Sequence, residues 1–321
     1  MKSSHPSIAR AALCAAGLAA GLLLAACGGG GDQATSFSAK RVFAFGDEAS
    51  LIEASGKKYT VNAYATDSTT VLECRSNPIW VQSVALKYGL SFAQCPSSTA
   101  ADAPASTSRM RAALGAKVAD LAPQIDAQIA ESGIQAGDLA TLFVGVNDVI
   151  AWFEQVPTIG EARALAGAGA AGSALAAQAN RLAALDARVL IATLPNVGLM
   201  PYAGGRSAGS ANPNPGVLAR LSARFNDAML SNLLNDGRKI GLIQLDVFLN
   251  ATDRATALGL GTYANTTLGA CAVALPDCTT ATLLPAVGTT LWLWADDRHL
   301  GAGGQSSLGS LAISRLNTNP F

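Results

Sequence analysis

The sequence predicts a single α/β domain in which a mostly parallel sheet lies between two layers of helices, a three-layer α/β/α sandwich. Two observations lead to this prediction. Apolar runs that fit buried strands alternate with longer stretches of helical periodicity along most of the chain. Glycine, asparagine and aspartate follow several of these runs, as they do in turns at the carboxyl ends of strands, where ligands and catalytic groups gather in open α/β sheets.

Four apolar runs are predicted as buried strands of this sheet: residues 42–45, 139–145, 188–194 and 241–246. A further segment, residues 57–64, alternates between apolar and polar side chains and predicts an edge strand or hairpin.

Helical spacing predicts five main helices: residues 78–88, 109–131, 161–185, 217–234 and 300–316. Pro123 falls inside the second of them, where it is expected to kink or interrupt the helix. A shorter helix is expected after the last strand. No internal repeat or second domain is evident, so residues 40–321 are predicted to form one domain.

The first residues have the layout of a secretory signal peptide. Lys2 and Arg10 precede or flank an apolar stretch of small residues, 11–26, which ends in Leu-Ala-Ala followed by Cys27. This ending resembles a bacterial lipobox, so residues 1–26 are predicted to be removed and Cys27 to be lipidated. The alternative is an ordinary signal peptide that contains a cysteine.

A lipidated Cys27 would anchor the protein to a membrane, and the residues after it indicate which membrane. The four glycines that follow it indicate a flexible tether over residues 27–39. Gly28, and not an aspartate, follows Cys27, which by the sorting rule of such lipoproteins favours the outer membrane, with the domain on its periplasmic face or on the cell surface. No other segment is long and apolar enough to span a bilayer.

Composition excludes some classes of partner. Without the two basic residues of the leader, 20 basic and 22 acidic residues leave a net charge of −2, with no basic cluster that would bind nucleic acid. Four cysteines remain after Cys14 leaves with the leader and Cys27 is lipidated, and closeness in sequence favours the disulfides Cys74–Cys95 and Cys271–Cys278. A metal site is the rival, but no Cys-x-x-Cys spacing supports it. No cofactor is expected.

Three short stretches carry residues suited to chemistry. Glu48 follows the first strand in Phe45-Gly46-Asp47-Glu48, and Asn147 follows the second in Gly145-Val146-Asn147-Asp148. Near the C-terminus, Asp296 precedes His299 by three residues, a spacing that allows a carboxylate to orient an imidazole that takes and returns a proton.

These stretches resemble blocks of the SGNH/GDSL hydrolases, whose patterns are Phe-Gly-Asp-Ser-Leu, Gly-x-Asn-Asp and Asp-x-x-His. The resemblance covers most of the chain from Arg41 to Leu316 and implies the flavodoxin-like three-layer fold of that family and an ancestral carboxylic ester hydrolase. It places Asn147 as an oxyanion donor, His299 as the general base and Asp296 as the orienting acid.

The chain departs from the family at two positions. Glu48 stands where the nucleophilic serine is expected. No glycine lies between Gly89 and Gly115, so the glycine whose backbone amide is the family's second oxyanion donor has no evident counterpart. Ser50 is a rival nucleophile, Glu48 itself could attack as a carboxylate, and Glu48 could instead pair with a protonated His299.

Two functions therefore stay open at this stage. One is a lipid-anchored pseudoenzyme whose cleft binds an acyl-ester or glycan-like small ligand. The other is an active esterase that uses Ser50 or Glu48 with His299 and Asp296. Fold alone does not separate them, because function depends on the geometry of the site.

Overall fold

The computed structural model describes residues 37–96, 106–204, 214–285 and 291–318. From Phe37 onward the chain forms one compact unit. Cys27, the predicted leader and most of the predicted tether lie outside the described residues. Within the described part, no helix has the length and hydropathy needed to cross a bilayer.

The centre of the fold is a five-stranded sheet in which every pair of neighbours is parallel. Its strands are β1 Arg41–Gly46, β2 Arg109–Met110, β3 Asp138–Phe143, β4 Arg188–Ala192 and β5 Ile240–Ile243. Their spatial order is β2-β1-β3-β4-β5. A separate parallel pair, β6 Asn265–Gly269 with β7 Trp292–Trp294, forms a second, two-stranded sheet.

Seven α-helices are described: α1 Trp80–Lys87, α2 Leu121–Ser132, α3 Val146–Ile159, α4 Glu161–Ala184, α5 Pro215–Asn232, α6 Leu245–Ala257 and α7 Ala302–Thr318. Helix α1 packs on α7, while α3, α4 and α5 pack on one another as a separate group. Nearly all side chains of β1, β3 and β4 are buried between these layers. The predicted α/β fold with a mostly parallel central sheet is confirmed.

The prediction of one helix over residues 109–131 is wrong in its first half. Arg109–Met110 is the edge strand β2, because Phe43 and Ala44 of β1 pair with it. A turn with left-handed Gly115 and a short 3₁₀ helix, Val118–Asp120, follow before α2 begins at Leu121. Pro123 is in the first turn of α2, where a missing N–H is tolerated.

The segment 57–64 is neither a strand nor a hairpin. It makes only isolated bridges, from Lys58 to Ile52, from Asn62 to Thr279 and from Tyr64 to Leu72. The Asn62 side chain closes it into a loop, because Oδ1 accepts from the Lys58 N–H and Nδ2 donates to the Lys58 carbonyl. Local side-chain bonding of this kind competes with pairing in a sheet.

Three other elements were not predicted. Helix α3 begins directly after β3, although this stretch was treated as a turn. Strands β6 and β7 pair across 22 intervening residues, a contact that periodicity in a short window does not show.

Both predicted disulfides are present in the structure. Cys74 bonds to Cys95 and Cys271 bonds to Cys278, each with a Cα–Cα distance of 5.8 Å. The two bonds close loops on either side of the segment 57–64, and Asn62 donates its backbone N–H to the carbonyl of Cys278.

Candidate functional site

Glu48 is held where the central strand β1 ends. Gly46 is the last residue of β1 and has a φ of +131°, and a Cβ there would lie 2.0 Å from the carbonyl oxygen of Phe143 on β3. Asp47 then begins a 3₁₀ turn, Glu48–Ser50, and its carboxylate accepts from the backbone N–H of Ala49 at 3.0 Å. The tight turn points the Glu48 side chain toward the carboxyl edge of the sheet, where it is buried.

Asn147 and Gly115 reach the same place from neighbouring elements. Asn147 is in the first turn of α3, just after β3, and β3 pairs directly with β1. Its side-chain Nδ2 donates to Glu48 Oε2 at 3.1 Å and Oε1 at 3.2 Å, and also to the carbonyl of Ala116 at 3.2 Å. Gly115, with a left-handed φ of +70°, donates its backbone N–H to Glu48 Oε2 at 2.8 Å.

The expectation that no glycine amide would serve this site is therefore wrong. Gly115 follows the strand β2, which lies in the stretch predicted as a helix. The prediction therefore did not place Gly115 beside β1. Asp148 also fixes this loop, because its Oδ2 accepts from the Val118 N–H at 3.0 Å.

His299 and Asp296 come together in the turn between β7 and α7. His299 Nδ1 donates to Asp296 Oδ2 at 2.7 Å, and the His299 backbone N–H donates to Asp296 Oδ1 at 2.8 Å. The same Oδ1 accepts from the Arg298 N–H at 2.9 Å. These bonds fix the ring so that its other nitrogen, Nε2, faces Glu48 Oε1 at 3.3 Å.

The Glu48 carboxylate is thus bound by an imidazole and two amide donors at once. Burial by itself would lower the pKa of His299, but the hydrogen bonds and charges of Asp296 and Glu48 outweigh it and raise that pKa to about 9. Burial would raise the pKa of Glu48, yet hydrogen bonding and charge from His299, with the Gly115 N–H, lower it overall. At neutral pH the pair is a carboxylate and an imidazolium.

The pKa values of the other carboxyl groups around the site are shifted in different directions. Burial by itself would raise the pKa of Asp296, but the hydrogen bond and charge of His299 outweigh it and lower that pKa. Burial and the negative charge of Glu48 raise the pKa of Asp47 well above its usual range. Burial also raises the pKa of Asp148 to about 6, although the Val118 N–H opposes this.

Ser50 is not placed for attack. Its side chain is completely buried, and its Oγ accepts from Trp80 Nε1 at 3.0 Å. It does not line the cleft that contains Glu48 and His299. In the described part of the chain, His299 Nε2 contacts the Glu48 carboxylate and no hydroxyl group.

A narrow cleft opens onto Glu48 and His299. Its other walls are mainly apolar and include Phe143, Val146 and Met200, and its cavity of about 20 Å³ is enough for roughly one water-sized group. Arg298 also lines it. The guanidinium of Arg298 binds both oxygens of Asp297 and lies 5.1 Å from the centre of the Tyr202 ring.

Two residues near the site were not singled out from the sequence. Tyr59 packs its ring 5.9 Å from the His299 ring and donates its hydroxyl to Glu53 at 3.0 Å. Arg298 and Asp297 are the two residues between Asp296 and His299, and the sequence pattern assigns no role to either of them. Nothing in the local pattern marks Tyr59, since it lies 240 residues before His299. Among the described residues, no group of three His, Cys, Asp or Glu side chains could hold a metal ion.

Comparison with known proteins gives distant likenesses only. No family model matches the chain, and no curated protein matches it. Among solved structures, a lipolytic protein of the G-D-S-L family from Veillonella parvula is 11% identical, with 87% of this chain and 98% of that chain covered and a TM-score of 0.43. An extracellular lipase from Streptomyces rimosus is 17% identical, with coverage of 86% and 100% and a TM-score of 0.43.

A lipase named Lip_vut3 from a goat rumen metagenome is 11% identical, with 86% of this chain and 96% of that chain covered and a TM-score of 0.49. At such identities and TM-scores these likenesses assign no activity to this chain. Function depends instead on the geometry and chemistry of the side chains at the carboxyl edge of the sheet.

Proposed function

We propose that this protein is a divergent member of the SGNH/GDSL hydrolases, exported and lipid-anchored, whose cleft binds a small acyl-ester or glycan-like ligand without hydrolysing carboxylic esters. The observation that supports this most is the Glu48 carboxylate itself. It stands where the related enzymes are expected to have a nucleophilic hydroxyl. Its two oxygens accept the hydrogen bonds of His299 Nε2, the Gly115 N–H and Asn147 Nδ2.

Ester hydrolysis by the serine route needs two things that this arrangement lacks. A general base acts on a hydroxyl within hydrogen-bond reach, and His299 has a carboxylate there. Donors that stabilise an oxyanion have to be free for charge that appears in the transition state, and both are already bound to a permanent negative charge. Attack of Glu48 on an ester carbonyl would give an acid anhydride, which is a poor intermediate for this reaction.

The active-esterase alternative through Ser50 loses support from the structure. Ser50 Oγ is bound by Trp80 Nε1 in the core, and its backbone N–H is bound by the carbonyl of Asp47. Bringing Ser50 to His299 would require unfolding of the 3₁₀ turn that also positions Glu48.

Export and lipid anchoring are proposed from the sequence. The Leu-Ala-Ala-Cys ending of the apolar leader supports processing before Cys27, and the two disulfides among the four remaining cysteines fit an oxidising compartment outside the cytoplasm. An outer-membrane location is proposed because Gly28 follows Cys27.

The proposal is tested by assaying hydrolysis and binding on the same protein. We expect wild type to cleave 4-nitrophenyl acetate at the background rate, while small acyl esters or acetylated sugars shift the NMR signals of the His299 ring. Strong wild-type hydrolysis that is lost in Ser50→Ala but survives in Glu48→Gln would show that Ser50 is the nucleophile and would contradict the proposal.

A further inference from the structure

The two oxygens of Glu48 have different surroundings. Oε2 accepts from the Gly115 N–H at 2.8 Å and from Asn147 Nδ2 at 3.1 Å. Oε1 has longer contacts, 3.2 Å to Asn147 Nδ2 and 3.3 Å to His299 Nε2. One oxygen is therefore firmly held, and the other is bound less tightly beside the cleft that Glu48 lines.

This asymmetry suits a carboxylate that attacks with one oxygen while the other stays anchored. We propose that Glu48 is a nucleophile toward small alkyl electrophiles, in which an unbranched sp³ carbon carries an anionic leaving group such as a halide or a sulfonate. This activity goes beyond ligand binding, but it takes from the proposed function that the cleft at Glu48 and His299 is the functional site. It differs from ester hydrolysis because the attacked atom is a saturated carbon and no anhydride forms.

In the first step, Glu48 Oε1 forms a bond to the alkyl carbon, and the bond from that carbon to the leaving group breaks. The leaving group departs with the bonding electron pair as an anion, and Glu48 becomes a neutral alkyl ester. Arg298 lies in the wall of the same cleft, with its guanidinium bound to both oxygens of Asp297, and the anion leaves through the open side of the cleft to solvent.

In the second step, water attacks Cδ of the Glu48 ester and His299 Nε2 takes its proton. The negative charge then forms on Oε2, which already faces the Gly115 N–H and Asn147 Nδ2. The bond from Cδ to Oε1 breaks, the proton on His299 goes to the leaving alkoxide, and the alcohol is released. The proton left on the Glu48 carboxyl group then moves to His299 Nε2, which restores the resting carboxylate and imidazolium. Alkyl halide and water thus give alcohol, halide ion and one proton.

Formation of the ester also prepares His299 for the second step. In the resting site the pKa of His299 is raised by the hydrogen bond and charge of Glu48 as well as by those of Asp296. Once Glu48 is esterified its charge is lost, so the pKa of the imidazolium falls, Nε2 releases its proton to solvent, and the neutral ring can then accept a proton from the attacking water. Asp296 still orients the ring through Nδ1.

The shape of the cleft limits the substrate. The space next to Glu48 is small, about 20 Å³, and therefore favours an unbranched reacting carbon, with the rest of the chain in the open part of the cleft. The apolar walls from Phe143, Val146 and Met200 fit a short hydrocarbon chain.

The experiment uses the full chain with two probes, 1-bromobutane and butyl methanesulfonate, and intact-protein and peptide mass spectrometry. We expect His299→Gln to accumulate a butyl ester on Glu48, because the first step needs no base and the second does. Wild type should release butanol and show little adduct, and Glu48→Gln should show neither. Glu53→Gln, a nearby glutamate outside the cleft, serves as the matched control and should behave as wild type.

A single turnover in H₂¹⁸O decides the route. Because water attacks Cδ, the first turnover should place ¹⁸O in the Glu48 carboxylate and leave the first butanol unlabelled. Absence of a Glu48 adduct in both wild type and folded His299→Gln, alkylation of His299 in its place, or ¹⁸O in the first butanol would each overturn the proposal. None of these results would change the outcome of the ester-hydrolysis assay. The proposed alkyl transfer to Glu48 can therefore be contradicted without contradicting the proposed function.

Discussion

The backbone N–H of Gly115 donates to Oε2 of Glu48 across 2.8 Å, although the two residues are 67 positions apart. Gly115 comes from the loop after β2, and Glu48 from the turn after β1, so the parallel pairing of these strands brings them together. An amide that stabilises a transient oxyanion in a hydrolase is here occupied by a permanent carboxylate.

His299 is the only histidine of the chain after the predicted leader, so its ring gives isolated NMR signals. We expect it to titrate with a pKa of about 9 in wild type, because Asp296 and Glu48 stabilise its charged form. In Glu48→Gln the pKa should fall, since one of the two carboxylates is lost. A wild-type pKa near 6.5 would contradict the described contact between Glu48 and His299.

The same titration affects stability in a defined direction. The pKa of His299 is higher in the folded than in the unfolded state, so its contribution is complete below about pH 6.5 and is lost as the pH rises through about 9. The free energy of unfolding of wild type should exceed that of His299→Gln by at most on the order of 3 kcal/mol at pH 6, and by less at pH 9.5. Chemical denaturation at the two pH values measures this difference, which a pH-independent gap would contradict.

Lys58 and its neighbour Lys57 allow a matched comparison of a buried and an exposed ammonium. Lys58 is fully buried, and its Nζ donates to the carbonyls of Cys74, Ser76 and Asn77 at 2.7–2.9 Å. Burial lowers the pKa of Lys58 to about 7. Lys57 makes an exposed ion pair with Asp277.

We expect Lys58→Met to lower the free energy of unfolding by about 2 kcal/mol or more, because three carbonyls lose their donor. Lys57→Met should change it by no more than about 1 kcal/mol, as is usual for an exposed ion pair. Urea denaturation of both variants above pH 7 tests the comparison, because the lowered pKa of Lys58 means that its burial costs the folded state more stability as the pH falls. Equal effects of the two substitutions would contradict the structural role of Lys58.

Lipid anchoring is tested by Cys27→Ser in cells fed labelled palmitate. We expect wild type to take up the label and to fractionate with the outer membrane, since the chains added to such a cysteine give stable anchoring. The variant should take up no label and should remain unprocessed or soluble. Label that persists in Cys27→Ser would rule out Cys27 as the lipidated residue.

Much of the fold could be predicted from the sequence, because its strongest signals are local. The apolar runs of β1, β3, β4 and β5 and the long helix α4 each fill a window in which periodicity is visible. Strand β2 could not be recognised, since it has two residues and exists only through its pairing with β1. Because β2 was not predicted, the position of Gly115 beside Glu48 was not predicted either.

Most residues of the site could be predicted from the sequence, but the hydrogen bonds between them could not. Glu48, Asn147, Asp296 and His299 stand at turns after strands, and the structure brings all four together. The contacts of Glu48 with both amide donors could not be predicted, because they depend on the length of its side chain and on the left-handed turn at Gly115. Likewise, Ser50 does not line the cleft because its Oγ accepts a hydrogen bond from Trp80 of helix α1, a contact that local sequence does not indicate.

We propose that the Glu48 carboxylate, and no other feature, prevents this site from activating a hydroxyl. Labelling with a fluorophosphonate probe tests it most directly, in wild type, Glu48→Ser and the double variant Glu48→Ser/His299→Gln. We expect label only in Glu48→Ser, where His299 and Asp296 gain a hydroxyl partner and the Gly115 and Asn147 donors become free. Labelled wild type, or a folded Glu48→Ser that stays unlabelled, would contradict the account.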